Sequence, residues 1–378
     1  MRPFASRLVI AAALLATVLS HAPHVRAQAS TPGPRVVAIA DIHGDAARFS
    51  ALLRQMQLAD AHGRWTGGTA TLVQLGDMID RGPASREVMD GLMSLQADAA
   101  HAGGRVIVLL GDHEAMNIYG DLAYVPASEY ASFVDSNSER RRRNAWTKYA
   151  ALFGGSPPVS HDAWLAAHPA GFIEQREAFG PSGRYGRWLR GLPAVALVGG
   201  TLFAHAGIGP DLAGWSVDRV NRTITGEIKT FDQEVRTLVD HGLALPFYSL
   251  EELVAAAHVA AASGATDVQH LIRADDWWSI RDEGPLWFRG YARLSDADLA
   301  PLVDRVDATY GASRIVVGHT VESGTVIVRA GGRVYLLDTG MLTGFVPGGR
   351  ASALEITGAQ VHIIYAAEGA AARRPAAR

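Results

Sequence analysis

Apolar runs of three to five residues recur along the chain, and each of five stops abruptly at glycine, aspartate or histidine. Val36-Val37-Ala38-Ile39-Ala40 runs into Asp41-Ile42-His43-Gly44, and Thr71-Leu72-Val73-Gln74-Leu75 into Gly76-Asp77-Met78-Ile79-Asp80-Arg81-Gly82. Val106-Ile107-Val108-Leu109-Leu110 runs into Gly111-Asp112-His113-Glu114, Thr201-Leu202-Phe203-Ala204 into His205, and Ile315-Val316-Val317 into Gly318-His319-Thr320. Short continuous apolar runs bounded by turn residues predict buried strands. Amphipathic stretches such as Phe49-Ser50-Ala51-Leu52-Leu53-Arg54-Gln55-Met56 lie between the first three. That alternation predicts βαβ units and a mostly parallel sheet. The polar chemistry therefore collects at strand carboxyl ends, the edge at which open α/β sheets bind ligands.

Between these strands the pattern changes twice. Residues 128–189 are polar and helical in pattern and read as a lid-like insertion, with Glu139-Arg140-Arg141-Arg142-Arg143 as a solvated helix face. Residues 211–307 form a second mixed, helix-rich insertion. Gly199-Gly200, between Ala194–Val198 and Thr201–Phe203, is a two-residue hairpin signal. Val326–Val328, Val334–Leu337 and Ala353–Ile356 are short apolar runs spaced by glycine turns, which predicts an antiparallel second sheet. Residues 366–378, rich in alanine, arginine and proline, predict a frayed tail.

The amino terminus has a different logic. Arg2 and Arg7 precede an apolar run from Leu8 to Leu19, and Val25-Arg26-Ala27 places small residues where a signal peptidase reads them. The run is shorter than the roughly 20 residues of a spanning helix. Residues 1–27 are thus expected to be a removable signal peptide, with a periplasmic or secreted domain over 28–365 and no membrane attachment after cleavage. The 378 residues contain no cysteine, so an oxidising compartment would add no disulfide. With 48% hydrophobic residues the chain can bury a large core. Removing residues 1–27, which hold three arginines and no acid, takes the formal net charge from −3 to −6. That balance predicts no nucleic-acid partner.

Carboxylate and imidazole at the five strand ends suit divalent cations that keep open positions for water and substrate. Asp41 and His43, two apart in extended chain, share a face. Asp77 is placed to serve two ions, with Asp112, His205 and His319 completing the second. Two ions of this kind hold a phosphoryl group and acidify a water. His113 follows Asp112 directly and should point elsewhere; Asp80 is placed to accept its Nδ1 proton, which would make His113 a general acid. Arg81 and Arg289 are candidates for paired hydrogen bonds to phosphate.

Taken in order, Asp41-Ile42-His43-Gly44, Gly76 to Gly82, Gly111 to Glu114, His205-Ala206-Gly207 and Gly318-His319-Thr320 resemble the signature of the calcineurin-like phosphoprotein phosphatases over Arg35 to about Tyr365. Gly186-Arg187-Trp188-Leu189, Gly284 to Arg289 and Leu337-Asp338-Thr339-Gly340 are most similar to the bacterial Shewanella-like protein phosphatases. The resemblance implies an α/β fold, a two-sheet sandwich flanked by helices. It also implies two divalent metal ions of manganese, iron or zinc, and direct attack of metal-bound hydroxide on a phosphomonoester. The implied substrate is a phosphorylated protein, at tyrosine or at serine and threonine, or a small phosphomonoester. A nucleotide or dinucleoside-polyphosphate hydrolase and a catalytically weakened metal-binding relative are the alternatives. Two positions depart from the family pattern. Ala206 replaces a glycine, which should only tighten the turn, and Asp112 replaces an asparagine, which bears on the catalytic rate.

Overall fold

The computed structural model describes residues 34–367. The signal segment expected at 1–27 lies outside them, as does the expected tail except Ala366 and Ala367; the Ala366 N–H donates to Ala351 O at 2.9 Å. Three strands come first: β1 (Arg35–Ile39), β2 (Thr71–Gln74) and β3 (Arg105–Val108). The glycine hairpin joins β4 (Val195–Val198) to β5 (Thr201–Ala204). Then come β6 (Arg314–Val317), β7 (Ile327–Arg329), β8 (Val334–Leu336), β9 (Ser352–Thr357) and β10 (Gln360–Tyr365).

They form two mixed five-stranded sheets, ordered β10-β9-β1-β2-β3 and β4-β5-β6-β8-β7. In the first sheet β1, β2 and β3 run parallel, with Val36 opposite Thr71 and Thr71 opposite Arg105. In the second, β5, β6 and β8 are parallel and the outer strands antiparallel. This corrects the expected antiparallel second sheet in two ways. The long helical connection between β5 and β6 permits parallel pairing. The last apolar run, β9, joins the first sheet instead, antiparallel to β1, and with β10 covers an edge that β1 would otherwise expose.

The first three strands are mostly apolar after their first residue because both of their faces are buried there. Val36, Ala38, Val73, Ile107 and Leu354 of the first sheet meet Phe203, Val316 and Tyr335 of the second in the layer between the sheets. On the outer side, Val37, Ile39, Leu72 and Val108 meet Phe49 and Leu52 of helix Ala46–Gln55 and Val88 and Leu92 of helix Ser85–His101. Leu202, Ile315 and Val317 pack outward on Leu299, Leu302 and Val306 of helix Asp296–Tyr310. The strands' carboxyl ends are therefore held from both sides.

The first insertion contributes five short helices that share a core with helices 85–101 and 112–119. Its arginine run is not uniformly solvated as expected. Arg140 and Arg143 are exposed, but Arg141 pairs with Asp135 at 2.8 Å and Glu174 at 3.1 Å, and Arg142 donates to the carbonyls of His168 and Leu165. These bonds satisfy carbonyls at a helix end that has no intrahelical partner.

Phe203 is fully buried between the sheets, so Phe203→Ala should cost about 3–5 kcal/mol in chemical denaturation. Leu197→Ala, at a β4 position that is 42% exposed, should change stability by no more than about 0.5 kcal/mol. Equal losses would contradict this layering.

Candidate metal centre

The loops leaving β1 and β2 lie against one another. Ile42 and His43 N–H groups both donate to Asp77 O, at 2.8 and 2.9 Å, and Gly44 N–H donates to Met78 O at 3.0 Å. Helix Asp112–Tyr119 starts directly after β3, and its third residue, Glu114, reaches back. Glu114 Oε2 accepts from Gly111 and Asp77 N–H at 2.9 and 2.8 Å, while Oε1 accepts from Met78 N–H at 2.9 Å. On the other sheet, Gly318 N–H donates to His205 O, and His319 N–H donates to both Asp41 oxygens at 3.1 Å. His43, Asp77, Asp80, Arg81 and His319 all have φ between 47 and 68°. Only two other non-glycine residues among those described have positive φ, and such strain persists only where surroundings over-determine it.

Two sets of ligand atoms converge, each within 4.8 Å: Asp77, Asp112, His205 and His319, and beside them His43, Asp77 and His113. Every one of these residues is buried. His205 Nδ1 lies 2.8 Å from Leu75 O, and His43 Nδ1 3.0 Å from Ile79 O; a carbonyl can only accept, so each Nδ1 carries the proton. Each Nε2 is then the ring atom turned into the cluster, where its lone pair can meet a cation or a proton. His205 Nε2 is 2.8 Å from Asp112 Oδ1, 3.4 Å from Asp77 Oδ1 and 3.2 Å from His319 Nδ1. Oxygen and nitrogen acceptors turned toward one point, with their outer atoms hydrogen-bonded, fit a divalent cation. Asp77 belongs to both sets.

Asp41 stands at the rim of this cluster rather than in either set, its oxygens turned to His319 N–H and its carboxyl beside Asp338. His113, expected to point away from the ligands, does join the second set, with Nε2 buried, unpartnered and 3.8 Å from Asp77 Oδ2. Its Nδ1 donates to Asp80 Oδ2 at 2.8 Å. Arg81 Nη1 donates to His43 Nε2 at 2.9 Å, and Arg289 Nη1 donates to His319 O and Thr320 Oγ1 at 3.2 and 3.3 Å. Ala206 is not among the positive-φ residues, so its side chain costs the turn nothing there.

The sequence reading assigned no role to Glu114, Asn117, Tyr124 or Asp338. Asn117 Nδ2 lies 3.0 Å from both Asp80 oxygens, and Tyr124 sets its ring 5.0 Å from that of His113. For Asn117 a signal existed, since it lies four residues after His113 on one helix face.

Burial, then Asp112 and Asp41, push the Asp77 carboxyl far up, and burial with Asp41 does the same to Asp338. Burial also acts to raise Asp112, but hydrogen bonds from His205 and His319 overcome it and hold this carboxyl well below the ordinary range. His205 is the other half of that exchange. Burial lowers it, yet the Asp112 bond and nearby carboxylates carry it up to about 9. The two shifts describe one shared proton rather than two independent sites.

A family model described as calcineurin-like phosphoesterase matches residues 34–323. The chain belongs to that family. This calcineurin-like phosphoesterase is thus a metal-dependent hydrolase of phosphoric esters. It is 30% identical to an uncharacterised protein of Schizosaccharomyces pombe, over 82% of this chain and 74% of that one. It is 26% identical to Shewanella-like protein phosphatase 2 of Arabidopsis thaliana, over 83% and 73%. Its fold matches the crystal structure of the cold-active protein-tyrosine phosphatase of a psychrophilic Shewanella, with TM-score 0.56 and 22% identity, over 87% of this chain and 80% of that one.

These shifts set how the chelated phosphoesterase should respond to pH. His205 is raised from 6.5 to about 9, and Asp77 and Asp338 are raised as well, so the folded chain holds protons that the unfolded chain has released. Stability from His205 is complete below 6.5 and is lost as pH rises through about 9. The chelated protein should therefore melt at progressively lower temperature from about pH 7 to about pH 9. Added manganese should reverse that trend, because cations and protons compete for the same lone pairs. A flat or rising melting temperature after chelation would contradict the assignment.

Proposed function

We propose that this phosphoesterase removes phosphate from a phosphorylated protein after export from the cytoplasm, with phosphotyrosine as its preferred residue. The observation that carries the reading is His113, whose Nδ1 is fixed by Asp80 and whose unpartnered Nε2 faces Asp77. The names of the phosphatase relatives support a protein substrate. Phosphotyrosine is supported by the mouth of the site, where the Arg81 guanidinium lies 5.4 Å from the Tyr124 ring and 4.4 Å from that of Phe345. Phe345 is 53% exposed, a large aromatic surface left open beside a phosphate-binding candidate. Export rests on the pattern of residues 1–27. Among the described residues no helix is long and apolar enough to cross a membrane.

In this reading Asp41, His43 and Asp77 would hold one cation and Asp77, Asp112, His205 and His319 the other. When bound, two cations of manganese, iron or zinc neutralise charge on the phosphoryl oxygens and acidify the attacking water. Arg81 and Arg289 grip the phosphate by paired hydrogen bonds. Asn117 donates to Asp80, which keeps that carboxylate an acceptor for His113 Nδ1–H. His113, protonated before the reaction, gives its Nε2 proton to the leaving oxygen.

His113→Ala should reduce kcat about 10² to 10⁴-fold on phenyl phosphate, whose leaving group needs a proton, and far less on p-nitrophenyl phosphate. Equal losses on the two esters would remove the general-acid role. A turnover panel tests the substrate. Phosphotyrosine peptides should be preferred over phosphoserine peptides and nucleotides, and Phe345→Ala should erase much of that preference; a nucleotide turned over fastest would defeat the proposal.

Asp112 offers only acceptors when ionised, whereas asparagine adds an N–H donor. A carboxylate charge about 5 Å from phosphate, at an effective dielectric near 20, repels by roughly 3 kcal/mol, and neighbouring cations offset part of this. Asp112→Asn should therefore raise kcat at neutral pH by about one or two decades. An unchanged or lower kcat with both metals bound by elemental analysis would mark Asp112 as a well-accommodated ligand.

A further inference from the structure

Behind the catalytic dyad, in the first helical insertion, a second feature stands apart from the metal centre. Helix Phe172–Phe179 supplies two contacts to Asn117: Gln175 Nε2 donates to its Oδ1 at 3.0 Å, and Arg176 Nη1 donates to its backbone oxygen at 2.7 Å. Arg176 is 8% exposed and makes no ion pair among the described residues. Its Nε is buried without a partner, and its Nη2 makes no hydrogen bond among them. Nε and Nη2 form one edge of the guanidinium, the edge that receives a carboxylate in bidentate fashion. Arg190, close by, shows the completed arrangement. Its Nε and Nη2 donate to the two oxygens of Asp232 at 2.8 and 2.9 Å, while its Nη1 donates to the Phe179 and Gly186 carbonyls. Arg176 has the carbonyl half of this pattern and lacks the carboxylate.

Arg176 also borders two cavities, of about 380 and about 200 Å³, which share Gly180, Pro181 and Pro246 in their walls. The larger is apolar at Ile173 and Phe247 and carries Arg141, Lys148 and one carboxylate, Glu177, which lies 3.7 Å from Arg141. Arg141 is already paired, but Lys148 is exposed with no carboxylate partner among the described residues. Leaving a buried guanidinium unpaired is costly. A ligand that brings the missing carboxylate, with an apolar body for the cavity wall, would offset that cost.

We propose that this cavity is a second binding site, for a small organic carboxylate held by the free edge of Arg176. Its occupancy is transmitted along Arg176, Asn117, Asp80 and His113 to the reacting proton. The binding half stands on the cavity alone, and the transmission half rests on the role given to His113 above.

The test is calorimetric titration of the metal-loaded enzyme with benzoate, and with acetate as a probe lacking the apolar body. Benzoate should saturate one site below about 10 mM, and acetate should bind at least about tenfold more weakly. Arg176→Lys keeps the charge but loses the fork, and should weaken benzoate at least about tenfold. Asn144→Trp, at an exposed position on the cavity wall, should block binding and leave kcat without benzoate unchanged. In the native enzyme, saturating benzoate should change kcat on phenyl phosphate at constant KM, and in Asn144→Trp it should not. Benzoate that binds both variants as well as the native chain, that competes with the ester, or that fails to bind at all overturns the site. Binding that both variants lose but that leaves kcat unmoved overturns the transmission.

Discussion

One buried carboxylate, Glu114, holds the site's geometry. It is inaccessible to solvent and accepts three backbone N–H groups from two loops, so the ends of β2 and β3 are fixed in one register. Burial raises its carboxyl, and the N–H groups and neighbouring histidines work against that rise. Because hydrogen bonds to an ionised acceptor are about twice as strong as neutral ones, three of them can hold strained φ values at Asp77 and Asp80. Glycine makes the approach possible. A Cβ on Gly111 would sit 2.3 Å from Asp77 Oδ1, and one on Gly318 would sit 2.3 Å from Asp41 Oδ1.

The same rigid ends concentrate negative charge. Asp41, Asp77, Asp80, Asp112, Glu114 and Asp338 are all buried, an arrangement that is unfavourable unless each charge is met. Glu114 is met by backbone N–H groups, Asp80 by Asn117 and His113, and Asp112 by two histidines. Asp41 accepts one backbone N–H at both oxygens. Asp77 is left with a single backbone donor, His113 N–H at 3.2 Å. It is also the residue shared by both ligand sets, so a carboxylate that protein donors barely meet is the one placed to be met by cations.

What could be read from the chain follows from the range of each interaction. A strand that ends in glycine and then carboxylate or imidazole declares its chemistry locally, and all five such ends meet in space. The pairing of β9 could not be read, because Ala353–Ile356 is equally apolar against either sheet and only the free edge of β1 decides it. Glu114 escaped notice because two of its three partners are backbone atoms 36 and 37 residues away, which leave no mark in residue type. Arg141 and Arg142 looked solvated for the opposite reason: a run of four arginines has the composition of an exposed face, while Glu174, His168 and Leu165, which accept from them, lie 23 to 33 residues onward.

The insertion also changes which residues belong to the candidate site. His113 is oriented by Asp80, Asp80 by Asn117, and Asn117 by Gln175 and Arg176 of a helix that no catalytic motif includes. Each member uses its hydrogen-bonding capacity in one direction, from donor to acceptor, toward the carboxylate that must stay ionised. A general acid needs a fixed tautomer as much as a suitable pKa. The fixing here begins about 60 residues past the histidine, at a segment whose sequence suggests only a polar helix. The candidate metal loops lie at the ends of the two sheets, whereas the orientation of His113, the proposed proton donor, depends also on the insertion packed behind it.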